Sequence, residues 1–356
     1  MSSEPEVLFE RRGRAGVITL NRPRALNALS HAMVRLIHPQ LRAWAEDDGI
    51  DCVVLKATGE KAFCAGGDIR AIYDLGRAGN AEEALLFWYE EYLLNHFIGT
   101  YPKPYVSLID GICMGGGFGL SAHGTYRVAG DRYLFAMPEV NIGLFPDVGG
   151  TYVLPRVPAF RGVYLALTGA RIRAADAKAM GLATHVVSSA RFADLETALA
   201  EGGDIGATLD TFAAPPAPAP LDAHGALIRD VFGRADMADI LAALDAEAQA
   251  TGEAADFARK AADAIRAACP TSLAITMEQM RRGPSLTLGG ALATEYRVVN
   301  RVARGHDFYE GVRAIIVDKD NSPRWQPASL GDVDPSVIAA HFAPIEAELP
   351  LVSELA

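Results

Sequence analysis

The sequence predicts an α/β fold completed by a largely helical C-terminal region. Three observations predict it. Short β-branched runs alternate with stretches of helical periodicity over the first half of the chain. Two glycine-rich segments each follow a strand-like run. Beyond a proline- and alanine-rich stretch at 211–220, the chain is alanine-rich and helical in pattern to about Ile316.

The elements follow in order. Residues 17–20 (VITL) and 52–57 (CVVLKA) are bounded by turn residues and read as strands. Between them Met33, Leu36, Ile37, Leu41 and Trp44 recur at helical spacing, so 28–45 reads as a helix with Ser30 as its N-cap. Residues 81–98 read as a second helix. Residues 103–110 read as a buried strand, with Pro104 at its start, where a missing N–H is tolerated. The apolar, glycine-rich 111–124 reads as a turn running into a buried helix. Residues 126–129 and 133–136 read as two further short strands. The stretch 211–220 (TFAAPPAPAP) cannot hold a regular helix and reads as a linker or an extended crossing segment. Residues 318–327 read as a turn-rich tail. A chain of 356 residues exceeds the size at which single cores usually stop growing. The expected division is a core at 1–200 and a mainly helical region with a turn-rich tail at 201–356.

Composition excludes several classes. A formal net charge of −11 argues against nucleic acid as a partner. It also requires any anionic ligand to be met by local arginines or backbone N–H groups. Cys52, Cys64, Cys113 and Cys269 form no C-x-x-C pair and have no histidine cluster at zinc spacing, so reduced thiols are expected and no metal. The opening residues MSSEPE contain no apolar leader core, and no run approaches the ~20 apolar residues of a membrane span. A cytoplasmic, membrane-free protein is therefore expected.

The common nucleotide and nucleophile signatures are missing. Residues 115–119 (GGGFG) do not fit the register of G-x-G-x-x-G, and no G-x-x-x-x-G-K-[ST] loop occurs. The G-x-S-x-G elbow is also absent. Ser121 and His123 stand two apart on a helical stretch and so point away from each other.

Three loop segments carry the chemistry. Residues 63–70 (FCAGGDIR) and 114–119 (MGGGFG) place glycines after strands, where backbone N–H groups can approach a ligand atom. Two such groups converging on one oxygen make an oxyanion hole. Close packing with turn formation is the alternative for either segment alone. Residues 136–150 (AMPEVNIGLFPDVGG) place Glu139 and Asp147 in an otherwise apolar loop, where acids are seldom buried without partners. A surface loop for Glu139 and a turn or cap role for Asp147 are the bland alternatives.

The order of these motifs resembles the crotonase superfamily. The matching residues are 21–29 (NRPRALNAL), the Gly67 loop with its F-x-A-G-x-D-I pattern, Lys103-Pro104 through Gly117, and Pro138 through Gly150. The resemblance implies a crotonase-like core of ββα spiral turns with a C-terminal helical region. It implies oxyanion donors at Gly67 and Gly116. The family's hydratases add water with two glutamates. One corresponds to Glu139, and the other falls on Gly119, which puts hydratase activity in doubt. Asp147 stands where hydratases commonly carry glycine.

The pair Glu139/Asp147, the helix 90–95 (EEYLLN) and the C-terminal segments 295–297, 304–308 and 310–320 resemble the 3-hydroxyisobutyryl-CoA hydrolase branch. That branch implies thioester hydrolysis in valine breakdown. Catalysis falls to Glu139 and Asp147, and Glu91, Gly116, Glu139 and Asp147 bind substrate. Glu139 acts as nucleophile or as general base, and both roles stay open. Arg24 and Arg70 lie next to the motifs as candidates for the CoA phosphates, with solvated surface arginines as the alternative. No metal or redox cofactor is implied, since CoA is part of the substrate. A homo-oligomer is left open, because crotonase relatives often form trimers. An enoyl-CoA hydratase or isomerase is the runner-up, and a non-catalytic binding protein on the same core is the third reading.

Overall fold

The computed structural model describes residues 4–351 and 353. The chain forms two compact units that interleave in sequence. The first comprises Met1–Asp68, Glu90–Phe135 and Arg171–Pro220, and the second Ile69–Tyr89, Ala136–Ala170 and Leu221–Ala356. This differs from the expected cut between 200 and 201. The stretches 69–89 and 136–170 cluster with the C-terminal region, which no local signal in the sequence announces. The later crossing, at Pro220, does fall at the end of the proline/alanine stretch.

The first unit holds a six-stranded sheet. Its strands are β1 (Val7–Arg12), β2 (Ala15–Leu20), β3 (Cys52–Ala57), β5 (Tyr105–Ile109), β7 (Tyr126–Ala129) and β9 (His185–Val186), in that spatial order. Strands β2, β3, β5, β7 and β9 pair in parallel, and β1 pairs antiparallel at the edge. Parallel strands are covered on both faces, which is why β2, β3 and β5 read as near-continuous apolar runs. Val17, Val54, Val106, Leu108 and Val128 pack against Leu195, Leu199, Ile205 and Leu209. Burying each such side chain stabilises the fold by about 1.5–3 kcal/mol. The polar edge strand β1 (VLFERR) lacks that apolar run and was not anticipated.

A second, three-stranded sheet joins β4 (Ala62–Cys64), β6 (Ile112–Met114) and β8 (Leu134–Ala136). Strands β4 and β6 are parallel, with Ala62 opposite Ile112 and Cys64 opposite Cys113. The segments leaving their C-terminal ends therefore emerge side by side. Three-residue strands are too short to show a period, so β4 and β6 were not foreseen either.

The helix His31–Glu46 begins as read, with Ser30 Oγ accepting the Met33 N–H at 3.1 Å. Met33, Ile37, Leu41 and Trp44 are buried, but Leu36 is 44% exposed and lies off the buried stripe. After the helix Ile205–Phe212 the proline/alanine stretch has no regular structure up to Ala219, and Ala214 N–H donates to Val186 O at 2.7 Å.

The second unit is helical. Helices Met237–Ala248 and Glu253–Ala267 pack together, the latter burying Ala255, Ala258, Ala261 and Ala262. The turn-rich 318–327 is organised by Arg313, whose guanidinium reaches Glu310, Asp318 and Asp320 at 2.8, 2.8 and 2.6 Å. No helix among the described residues is long and apolar enough to cross a membrane.

Candidate active site

In the first unit the two glycine loops meet. Gly116 is the first residue of the helix Gly116–Ala122, so its N–H has no intrahelical acceptor. A Cβ built on Gly116 would stand 3.2 Å from Gly67 N and 2.8 Å from Glu91 Oε1. The two glycines and Glu91 are thus neighbours, and a side chain at 116 would have to displace them. At Gly117 a Cβ would fall 2.4 Å from Cys64 O, so the run of glycines lets the helix start against β4.

The Gly67 loop is pinned by the residues of the motif at 21–29. Gly67 bridges Leu29 in parallel, with Leu29 N–H on Gly66 O at 2.8 Å and Asp68 N–H on Leu29 O at 2.9 Å. Arg22 pairs with Asp68 at 3.0 Å and donates to Ala28 O at 2.6 Å. Buried Asn27 donates to Thr58 O and Ala62 O at 2.9 and 3.0 Å, and its Oδ1 accepts the Arg22 N–H. These bonds explain why Arg22 and Asn27 belong to the motif: they fix the backbone that presents Gly67.

Consecutive glutamates on the helix Ala81–Gly99 take opposite directions. Glu90 pairs with Arg35 and His31 at 2.7 and 2.8 Å, and those partners hold its carboxyl below the usual range. Glu91, about 100° further round the helix, is buried beside Gly116.

In the second unit Glu139 opens the 3₁₀ turn Glu139–Ile142, and Asp147 lies in the loop that follows. They are 5% and 4% exposed, so the surface-loop reading of Glu139 fails. Burial pushes the Glu139 carboxyl well above the ordinary range, and the charge of Asp147 pushes it further. Glu139 Oε2 has no hydrogen-bond partner among the described residues. A buried, strongly perturbed acid with an open oxygen makes Glu139 a candidate functional residue.

Two further groups in the second unit were missed from sequence. Glu295, fully buried on the helix Leu288–Val302, accepts the N–H groups of Gly149 and Thr151 at 2.8 Å each. Burial first, then Asp147, pushes its carboxyl up to about 8. Gln279, fully buried on the helix Pro270–Arg282, donates to Pro146 O at 3.0 Å and to Thr151 Oγ1 at 2.7 Å. Glu295 stands in a C-terminal motif, but nothing local tells where its carboxylate points.

Arg24 is exposed in the 3₁₀ turn Pro23–Ala25. Arg70 is exposed and paired with Asp74 at 2.9 Å. Ser121 Oγ donates to Gly117 O at 2.8 Å, inside its own helix, which is not the bond of an activated nucleophile. All four cysteines are free and buried, and burial pushes each thiol up to about 12, far from a reactive thiolate. Among the described residues, no group of three or more His, Cys, Asp or Glu is placed to hold a metal ion.

The α/β body, the paired glycine loops and the buried acid loop define a crotonase fold. The chain belongs to the enoyl-CoA hydratase/isomerase family, whose model matches residues 15–342. Within it, the chain is 46% identical to the mitochondrial 3-hydroxyisobutyryl-CoA hydrolase of Danio rerio, over 96% of this chain and 90% of that one. It is 44% identical to the Homo sapiens protein of the same name, over 95% and 88%. Among solved structures, a carnitinyl-CoA dehydratase from Mycobacterium thermoresistibile is 43% identical, with a TM-score of 0.91 over 98% of this chain and 99% of that one.

The expected cytoplasmic location is corrected by these relatives, which are named as mitochondrial. The signals used for it do not discriminate. The lack of an apolar leader core speaks only to secretion, whereas organellar transit segments are amphipathic.

Proposed function

We propose that this protein hydrolyses the thioester of a short 3-hydroxyacyl-CoA, converting 3-hydroxyisobutyryl-CoA and water to 3-hydroxyisobutyrate and CoA. The observation that carries this reading is the buried Glu139/Asp147 pair, in a chain whose second hydratase glutamate is replaced by Gly119. The near full-length likeness to hydrolases of that name supports it, and a place in valine breakdown belongs to the same reading.

In the proposed reaction the Gly67 and Gly116 N–H groups bind the thioester oxygen and stabilise the charge it gains in the tetrahedral state. Glu139 attacks the carbonyl carbon to form a mixed anhydride, which water then hydrolyses to release the acid and restore Glu139, or it removes a proton from the attacking water. The CoA thiolate leaves and takes up a proton. Asp147 accepts a hydrogen bond from the 3-hydroxyl, and Glu91 lines the acyl site beside Gly116. Arg24 and Arg70 meet the CoA phosphates. Arg70 gives up an exposed ion pair for this, at a cost of about 0–1 kcal/mol. The reaction needs no separate cofactor.

The test offers the protein 3-hydroxyisobutyryl-CoA, 3-hydroxypropionyl-CoA and crotonyl-CoA while free thiol and enoyl absorbance are followed. Thiol release from the first two is the expected result. Loss of enoyl absorbance without thiol release establishes the hydratase reading, which the name of the Mycobacterium structure favours. Neither signal leaves a binding protein.

A pH profile adds a signed prediction. Glu139 acts deprotonated, and burial and Asp147 both raise its pKa. The acid limb of kcat/KM is therefore expected above the ordinary carboxylate range. In Asp147→Asn the limb moves to lower pH, because a neighbouring negative charge is gone. It stays above the ordinary value, since burial is the larger cause. An acid limb that does not move would show that the two carboxyls are uncoupled.

A further inference from the structure

We propose that Glu295, backed by Gln279, is a positioning residue: it clasps the turn at 146–151 so that Asp147 is held ready for the substrate's 3-hydroxyl. This rests on the role given to Asp147 above.

The turn needs a clasp. Val148 has φ +51 and Gly149 φ +87, two successive left-handed residues, and the first is β-branched. A β-branched residue avoids that region because its Cβ substituents meet the backbone. Such a conformation persists only where its surroundings over-determine it. The short helix Gly150–Val153 begins directly after it. Its first N–H groups need an acceptor, which a Ser, Thr, Asp or Asn at the cap position ordinarily supplies. Here the cap is Gly149, which carries no side chain and no capping bond of its own. The left-handed backbone that the turn requires is most readily adopted by glycine, which has no side chain to cap with, so the acceptor is supplied from elsewhere.

Glu295 supplies it from 146 residues downstream, with one carboxylate oxygen on Gly149 N–H and the other on Thr151 N–H. Gln279 ties the two ends together, donating to Pro146 O and to Thr151 Oγ1. Asp147 sits between the two grips, and its own carbonyl accepts the Gly150 N–H at 2.8 Å. A carboxylate buried this deeply is an expensive cap, and its proximity to Asp147 raises the cost further. A helix that needed only capping would not require it. A strained turn that must carry a second buried carboxylate at a set position does.

The test compares kcat/KM for 3-hydroxyisobutyryl-CoA with that for isobutyryl-CoA, the same thioester without the hydroxyl. Glu295→Gln keeps the side chain's size but replaces one accepting oxygen with an amide that cannot accept. Selectivity for the hydroxylated thioester is expected to fall about tenfold, the equivalent of one hydrogen bond lost from the clasp. Asp147→Asn is expected to flatten the same ratio, and the double variant to be no less selective than Asp147→Asn alone. Should Glu295→Gln not fold, Gln279→Met is read for the same ratio. Equal losses on both thioesters would mean that Glu295 merely supports the fold, and the proposal would be overturned. So would failure of both variants to fold. A wild-type protein indifferent to the hydroxyl, or an unchanged ratio in Asp147→Asn, would instead remove the role of Asp147 itself, and the proposal would go with it.

Discussion

Glu139→Gln is expected to release thiol from 3-hydroxyisobutyryl-CoA about 10²–10⁴-fold more slowly than the wild type, the range a positioned base or nucleophile contributes. The substitution is nearly isosteric, so what it removes is the ionisable carboxylate that, in the proposed reaction, attacks carbon or takes a proton from water. The fold should survive it. A carboxyl raised by burial means that the native state binds more protons than the unfolded chain above the ordinary value of 4.5. Stability therefore falls as pH rises through that window. Glutamine does not ionise, so the variant escapes this loss. Its thermal midpoint at pH 8 is expected to match or exceed that of the wild type, with the advantage vanishing near pH 4.5. Steady-state thiol release and thermal unfolding at the two pH values check both halves. A wild-type rate in Glu139→Gln would show that the attack is carried elsewhere.

Gly116→Ala is expected to lower kcat by about 10²–10³-fold, the cost of one oxyanion donor. The added methyl would lie 2.8 Å from Glu91 Oε1 and 3.2 Å from Gly67 N. The glutamate end can swing aside, but the amide of Gly67 is backbone, held by the bridge to Leu29 and by the bonds on either side of it. The two amides are forced apart by a few tenths of an ångström. Hydrogen-bond energy falls steeply with such misplacement, and it is needed most in the transition state. The loss should therefore appear in kcat, with KM changed little. Stopped-time assays over a range of substrate concentration separate the two. A rise in KM alone would mean that these amides bind the ground state without stabilising the reacting one.

The signals legible in the chain were local ones. The apolar runs of β2, β3 and β5 follow from burial on both faces of a parallel sheet. Ser30 caps its helix because a hydroxyl two or three residues ahead of a free N–H reaches it with little help from elsewhere. Glu139 and Asp147 share one loop, so their partnership was visible from their spacing and apolar setting. Leu36 shows the limit of periodicity: the spacing fits, but burial depends on what covers the face.

What only tertiary structure decided is how distant backbone groups are brought together. Composition and period say nothing of Gly67 and Gly116 becoming neighbours; the parallel pairing of β4 with β6 does that, across about 50 residues. Of two adjacent glutamates, packing chose Glu91 for the interior and left Glu90 to Arg35 and His31. Glu295 reaches Gly149 over 146 residues. Dihedral preferences and side-chain periods act within a few residues of their origin, so they write elements and loop chemistry into the sequence. A hydrogen bond between remote segments exists only once the layers between them have packed.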